Sequence, residues 1–146
     1  MNADRPVAFV DTNVLVYAFE KTNSERKQIA GRLLDELAAE GRLRLSTQVL
    51  QELFVTLTRK VRRPCSSAEA LSVIEILAGW PVTVVDVPAI RAAVELSGTG
   101  RISFWDALIV VAATRSGAQL LYTEDLNHGQ DILGVKIVNP FTPAGL

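Results

Sequence analysis

The residues best suited to chemistry in this chain are carboxylates, and several stand next to apolar runs. Asp11 lies in Phe9-Val10-Asp11-Thr12-Asn13-Val14-Leu15, Asp106 follows Ser103-Phe104-Trp105, and Glu124 and Asp125 follow Leu120-Leu121-Tyr122-Thr123. Carboxylates gathered at one point can ligate a hard divalent cation. Each also has an ordinary use. Asp11 suits the N-cap of a following helix, with Thr12 and Asn13 as local hydrogen-bonders. Asp106 completes a capping box with Asp in place of Glu, and Glu124 and Asp125 belong to a turn with Asn127, His128 and Gly129.

Asp106 is the least comfortable as a mere cap. The helix it opens, Ala107 to Ala113, has no polar stripe and should be buried, and a carboxylate on its first turn then needs a partner, which a metal ion would supply. Glu52 falls with Thr56, Arg59 and Arg63 on one polar stripe opposite Leu50, Leu53, Leu57 and Val61. That is the pattern of a solvated helix face, and equally of a face bordering a charged cleft. The cluster Arg59, Lys60, Arg62, Arg63 suits a helix C-terminus through the macrodipole and suits nucleic-acid phosphates just as well. Asp86, before Val87-Pro88, reads as a strand-end residue beside a helix start, and Asp131 is of the same chemical type. His128 is the only histidine, so a two-histidine ribonuclease mechanism is impossible, and it ranks as a loop residue above a catalytic base.

The elements that must position these groups alternate. Apolar runs predict strands at 7–10, 43–46, 82–87, 120–123 and 136–138, and helical periodicity predicts helices at 14–20, 25–40, 47 to about 62, 66 to about 78, 89–97 and 104–115. Thr22-Asn23-Ser24-Glu25 and Ser66-Ser67-Ala68-Glu69 have the form of capping boxes, and Pro88 suits a helix N1 position. Strands alternating with helices imply an α/β fold with a mostly parallel sheet covered on both faces. Ligands bind such sheets beyond the carboxyl ends of the strands. Asp11, Asp106 and Asp125 are thereby delivered to one edge.

The 146 residues fit a single domain over 1–146. With 49% hydrophobic and 21% charged residues the chain is globular. The longest apolar run is far short of a bilayer span, and the N-terminus lacks a signal-peptide pattern, so the expected location is the cytoplasm, without a membrane. The lone Cys65 agrees with a reducing compartment, and with only Cys65 and His128 a tetrahedral Cys/His zinc site is excluded. A net charge of -1 leaves the partner open.

Taken together, Asp11-Thr12-Asn13 after a strand, Gln51-Glu52-Leu53 on a helix, Trp105-Asp106-Ala107 opening a buried helix and Thr123-Glu124-Asp125 after a late strand resemble the PIN-domain ribonucleases, and the compact size is most similar to VapC-like toxins of type II toxin-antitoxin modules. The resemblance runs from Val7 to Pro140. It implies a three-layer fold with a parallel sheet of four to five strands flanked by helices. It also implies an acidic cluster of Asp11, Glu52, Asp106 and Asp125, both catalytic and metal-ligating, supported by Thr12, Asn13 and Thr123, with Glu124 or Asp125 nearer the metal. Mg²⁺, with Mn²⁺ as a substitute, suits carboxylates and water. Such an ion would lower the pKa of a bound water and stabilise the leaving 3′ oxygen, leaving 5′-phosphate and 3′-hydroxyl ends. The implied partners are RNA, with Arg59 and Arg63 as candidate contacts, a small antitoxin whose C-terminal segment covers the acidic cleft, and a second copy in a homodimer.

Two other readings compete. A PIN-like domain without turnover would bind RNA or protein. An α/β phosphohydrolase with an aspartyl nucleophile typically carries Asp-x-Asp, and here Asn13 holds the second place.

Overall fold

The computed structural model describes residues 5–143. Most of the N-terminal stretch read for a signal peptide thus lies outside the described residues. Among them no helix is long and apolar enough to cross a membrane.

β1 (Ala8–Val10), β2 (Leu43–Ser46), β3 (Val82–Thr83), β4 (Leu120–Tyr122), β5 (Asp131–Ile132) and β6 (Val135–Val138) form one sheet in the order β3-β2-β1-β4-β6-β5. The first five in that order are parallel, and β5 pairs antiparallel with β6 at the edge. The register is Leu43, Ala8, Leu120, Lys136 in one row and Phe9, Leu121, Ile137 in the next. β1 is central and wholly buried, as expected of a parallel strand covered on both faces. The layers are completed by α1 (Thr12–Phe19), α2 (Glu25–Ala39), α3 (Thr47–Val55), α4 (Ser67–Leu77), α5 (Val87–Ser97) and α6 (Phe104–Arg115).

The absence of a polar stripe on α6 has a direct cause. One side of the helix, with Ile109, Val110 and Ala113, joins the main core beside Phe9, Leu45 and Leu121. The other side, with Ala107, Leu108 and Val111, packs on Ala89 and Ala93 of α5. Every residue from Ala107 to Ala113 is buried.

Three local expectations are corrected, and one strand had no expectation. The strand read over 82–87 ends at Thr83, because Asp86 caps α5 by accepting from the Ala89 N–H at 2.9 Å, which draws residues 85–87 into a helix start. The cap of α2 is Ser24, accepting from Lys27 N–H at 3.1 Å, and Thr22 plays no part. The helix from Thr47 does not run evenly to Arg62: after Val55 it widens into a π-helical turn, Thr56–Lys60, closed by Val61 N–H to Thr56 C=O at 3.2 Å. β5, two residues long, carries too little pattern to be read. The capping box at Ser66 and Glu69 forms with both halves present.

Asp86 is therefore a structural carboxylate. Its cap reaches a buried segment of α5, while its 3.1 Å ion pair with Arg115 joins side chains that are 53% and 38% exposed. Asp86→Ala should lower the unfolding free energy by about 1 kcal/mol, and Arg115→Ala by much less, read from urea midpoints at unchanged slope.

Candidate active site

The chain runs outward from β1 to β2 to β3 and then returns to the other side of β1 as β4. The carboxyl ends of β1 and β4 are thus the point where the strand order reverses, which is where parallel sheets open a crevice. Asp11 follows β1 there, and its N–H is held by Tyr122 C=O at 3.0 Å. Asp11 is 5% exposed. Its Oδ1 accepts from Thr12 N–H at 2.7 Å as the cap of α1, and its Oδ2 accepts from the Thr123 hydroxyl at 2.9 Å. The capping role does not exclude a ligand role, since each carboxylate oxygen keeps a second lone pair.

Thr123, fully buried, is the junction of the site. While donating to Asp11, its hydroxyl accepts from Asp125 N–H at 3.1 Å and stands 3.3 Å from Asn13 Nδ2. The same Asn13 amide donates to Asp125 Oδ2 at 2.9 Å, and its Oδ1 accepts from Glu124 N–H at 3.4 Å. Thr12 donates to Glu52 Oε2 at 3.2 Å. The three supporting residues read from the sequence therefore tie α1 to the loop after β4 and to α3.

Glu124 and Asp125 are separated by their partners. Glu124 forms an ion pair with Arg26, whose guanidinium lies 5.3 Å from the Tyr17 ring centre and 4.8 Å from that of Phe141. Glu124 thus has its own counter-charge, and Asp125 is the carboxylate turned to Asn13. Among the described residues, no ion pair includes Asp11, Glu52, Asp106 or Asp125.

Asp106 lies half-buried on the first turn of α6, where its backbone N–H donates to the capping Ser103 hydroxyl at 3.2 Å. Burial pushes its carboxyl upward, the Ser103 hydroxyl opposes this, and the charges of Asp125 and Glu52 add to the rise. The same forces act more strongly on Asp11. Burial raises it to about 7, against the hydrogen bonds from Thr123 and Thr12, with Asp125 and Glu52 again adding.

Two clefts adjoin at Asp125. One of about 480 Å³ is bounded by Asp11, Glu52, Asp125, Thr56, Lys60 and Arg62. The other, about 680 Å³, runs past Arg101, Ile102, Asp106, Asp125 and Leu126. Arg59 and Arg63 border neither. The reason is the π-helical turn: the wider winding leaves Lys60 below Glu52 and Thr56, and the backbone becomes extended at Val61, so Arg63 lies beyond the helix. His128, in the loop as expected, accepts from Asn139 N–H at 3.1 Å through Nδ1 and is exposed. Gln48 and Arg26 are the site neighbours that residue type alone does not single out, whereas Lys60 and Arg62 belong to the basic cluster read from the sequence. Gln48 was discoverable only as the residue four before Glu52 on one helix face.

The donor chemistry suits a hard divalent cation: oxygen ligands only, oriented by hydrogen bonds and, among the described residues, outside every ion pair. Among the described residues, no three acidic, imidazole or thiol side chains are drawn together closely enough to hold an ion as they stand.

A raised carboxyl in the folded state means that protonation favours folding. Asp11's contribution is fully present below about pH 4 and is lost as pH rises through 7. In the presence of chelator the unfolding free energy should fall across that window by up to about 1.4 kcal/mol per pH unit from this group. Asp11→Asn should flatten the slope, and equal slopes in the two proteins would contradict the assignment.

The PIN domain family model matches residues 8–130. Among solved structures, Mycobacterium tuberculosis VapC20, a sarcin-ricin loop cleaving toxin, aligns with TM-score 0.64 and 23% identity over 81% of this chain and 89% of its own. A toxin-antitoxin complex from Klebsiella pneumoniae aligns with TM-score 0.67 and 19% identity over 92% and 98%. VapBC2 from Rickettsia felis, bound to a DNA fragment of its promoter, aligns with TM-score 0.61 and 20% identity over 89% and 96%. No significant match to a curated protein sequence is found. With the model spanning most of its length and the sheet reversing where the acids stand, the chain belongs to the PIN-domain family.

Proposed function

We propose that this chain is a divalent-cation-dependent endoribonuclease, the VapC-like toxin of a toxin-antitoxin pair, acting in the cytoplasm. The observation that carries the reading is a set of carboxylates from separate elements, Asp11, Glu52, Asp106 and Asp125, of which Asp11, Glu52 and Asp125 accept from neutral donors and none is in an ion pair among the described residues. These four would hold Mg²⁺ or Mn²⁺, with Thr12, Asn13 and Thr123 fixing the carboxylates. When bound, the ion supplies Lewis acidity toward the phosphate and the attacking water. The reaction is hydrolysis: a water oxygen bonds to phosphorus, the P–O3′ bond breaks, and the 3′ oxygen takes a proton. A 5′-phosphate and a 3′-hydroxyl remain.

Lys60 and Arg62 line the cleft beside Asp11 and Glu52 and supply positive charge to flanking phosphates. An antitoxin partner is supported by the neighbours from Klebsiella and Rickettsia, which are toxin-antitoxin assemblies. We also include a homodimer, on the family resemblance. A reading without turnover, as an RNA- or protein-binding PIN-like domain, draws on the spacing of the acids, no three of which close on one point among the described residues.

Purified protein should cleave RNA with Mg²⁺ or Mn²⁺ and stop in excess chelator, with cleavage ends identified by ligation chemistry. Asp11→Asn, Glu52→Gln and Asp106→Asn should each reduce the rate by at least about a hundredfold while far-UV circular dichroism stays unchanged. Cleavage that persists in chelator, or three variants at wild-type rate, would overturn the reading.

Reversing Lys60 and Arg62 should reduce the slope of log K against log salt for single-stranded RNA by about 0.7 per lost phosphate contact. The same change at Arg59 and Arg63 should alter it less. A larger effect from the second pair would return the RNA path to the outer helix face.

A further inference from the structure

We propose that Gln48 is a positioning residue of the acidic site, a neutral strut that fixes the Glu52 carboxylate and sets its spacing from the start of α6. The inference rests on the reading of the site as a divalent-cation centre. Gln48 lies on the first turn of α3, one helical turn before Glu52, and is 6% exposed. Its amide nitrogen donates to Glu52 Oε1 at 2.8 Å and stands 3.5 Å from the Trp105 carbonyl, the residue before Asp106. One side chain thus touches an acid of α3 and the backbone next to an acid of α6.

The other half of the amide identifies the role. Gln48 Oε1 is buried and has no hydrogen-bond partner among the described residues. Reversing the amide would not cure this, because it would point the oxygen at the Glu52 carboxylate. A buried acceptor without a partner is unfavourable, and a site that needed only packing would be served better by Met or Leu. What glutamine adds is the N–H facing Glu52. With Thr12 on Oε2, both oxygens of Glu52 are then held by neutral donors, each with a lone pair left. A lysine or arginine could hold Glu52 as firmly, but its charge would compete with a divalent cation.

Gln48→Met keeps the shape and removes both the donor and the unpartnered acceptor. Chelator-treated Gln48→Met should therefore melt no lower than wild type, whereas its Mn²⁺ dissociation constant, followed by electron paramagnetic resonance of the free ion, should weaken at least about tenfold. The kcat for RNA cleavage should fall similarly with KM unchanged. Wild-type Mn²⁺ affinity in Gln48→Met would overturn the proposal, and so would a loss of affinity accompanied by an equal loss of stability, which marks a packing role.

A third measurement is independent of the metal. In chelator-treated wild type the Gln48 side-chain amide protons should exchange slowly with solvent, and in Glu52→Ala they should exchange at least about tenfold faster. Unchanged exchange would overturn the contact itself. Should wild type neither bind Mn²⁺ nor cleave RNA while the exchange result holds, the ribonuclease reading fails and the strut remains as a holder of Glu52.

Discussion

Like charges gathered at one edge of a sheet repel, and the rest of this structure depends on how that repulsion is managed. Two carboxylates about 6 Å apart at an effective dielectric near 20 oppose each other by roughly 3 kcal/mol. Among the described residues no lysine or arginine forms an ion pair with Asp11, Glu52, Asp106 or Asp125, although Lys60 and Arg62 line the same cleft. The chain supplies hydroxyl and amide donors instead. Thr123 and Thr12 hold Asp11, Thr12 and Gln48 hold Glu52, Asn13 holds Asp125, and Ser103 hydrogen-bonds at Asp106. Neutral donors orient the carboxylates without supplying a counter-charge, and burial raises the Asp11 pKa against the hydrogen bonds from Thr123 and Thr12.

The sheet topology is what makes so few donors suffice. Because β4 returns beside β1, Thr123 at the end of one strand lies against Asp11 at the end of the other, 112 positions away in sequence. A single hydroxyl then serves two acids. The burial of β1 on both faces and of Leu121 at the centre of β4 fixes their register, and Phe9 opposite Leu121 leaves the polar residues that follow each strand no freedom to slip. The apolar helix α6, clamped between the main core and α5, delivers Asp106 with comparable rigidity.

The sequence was most informative where burial and topology govern the outcome. Asp11, Asp106 and Asp125 could be assigned to one edge because strand alternation alone carries them there. Glu52 could not, since its stripe describes a solvated face and a cleft wall equally, and only the family resemblance brought it in. Arg59 and Arg63 share the Glu52 stripe in an even α-helix but border neither cleft, for a different reason. A π-helical turn changes which residues share a face, and nothing in Thr56-Leu57-Thr58-Arg59-Lys60 announces wider winding in place of α-helix. Asp86 reads correctly as a strand-end carboxylate beside a helix start, yet the β-branched run from Val82 to Val87 predicts a longer strand than forms, because its pattern outweighs a cap that depends on one side chain.

The loop after β4 shows why neutral donors were used for the site. Glu124 and Asp125 are neighbours with identical charge, yet one is paired with Arg26 and the other with Asn13. Arg26 is itself braced by two aromatic rings, Tyr17 and Phe141. An arginine so held keeps Glu124 compensated on the side of α2, so that this carboxylate, although it also lines the cleft, adds less repulsion there. Asp125, held by an amide, stands outside every ion pair among the described residues at the place where the two clefts meet. The choice of donor at two adjacent positions therefore decides which carboxylate remains available to an incoming cation and which is spent on fixing the loop.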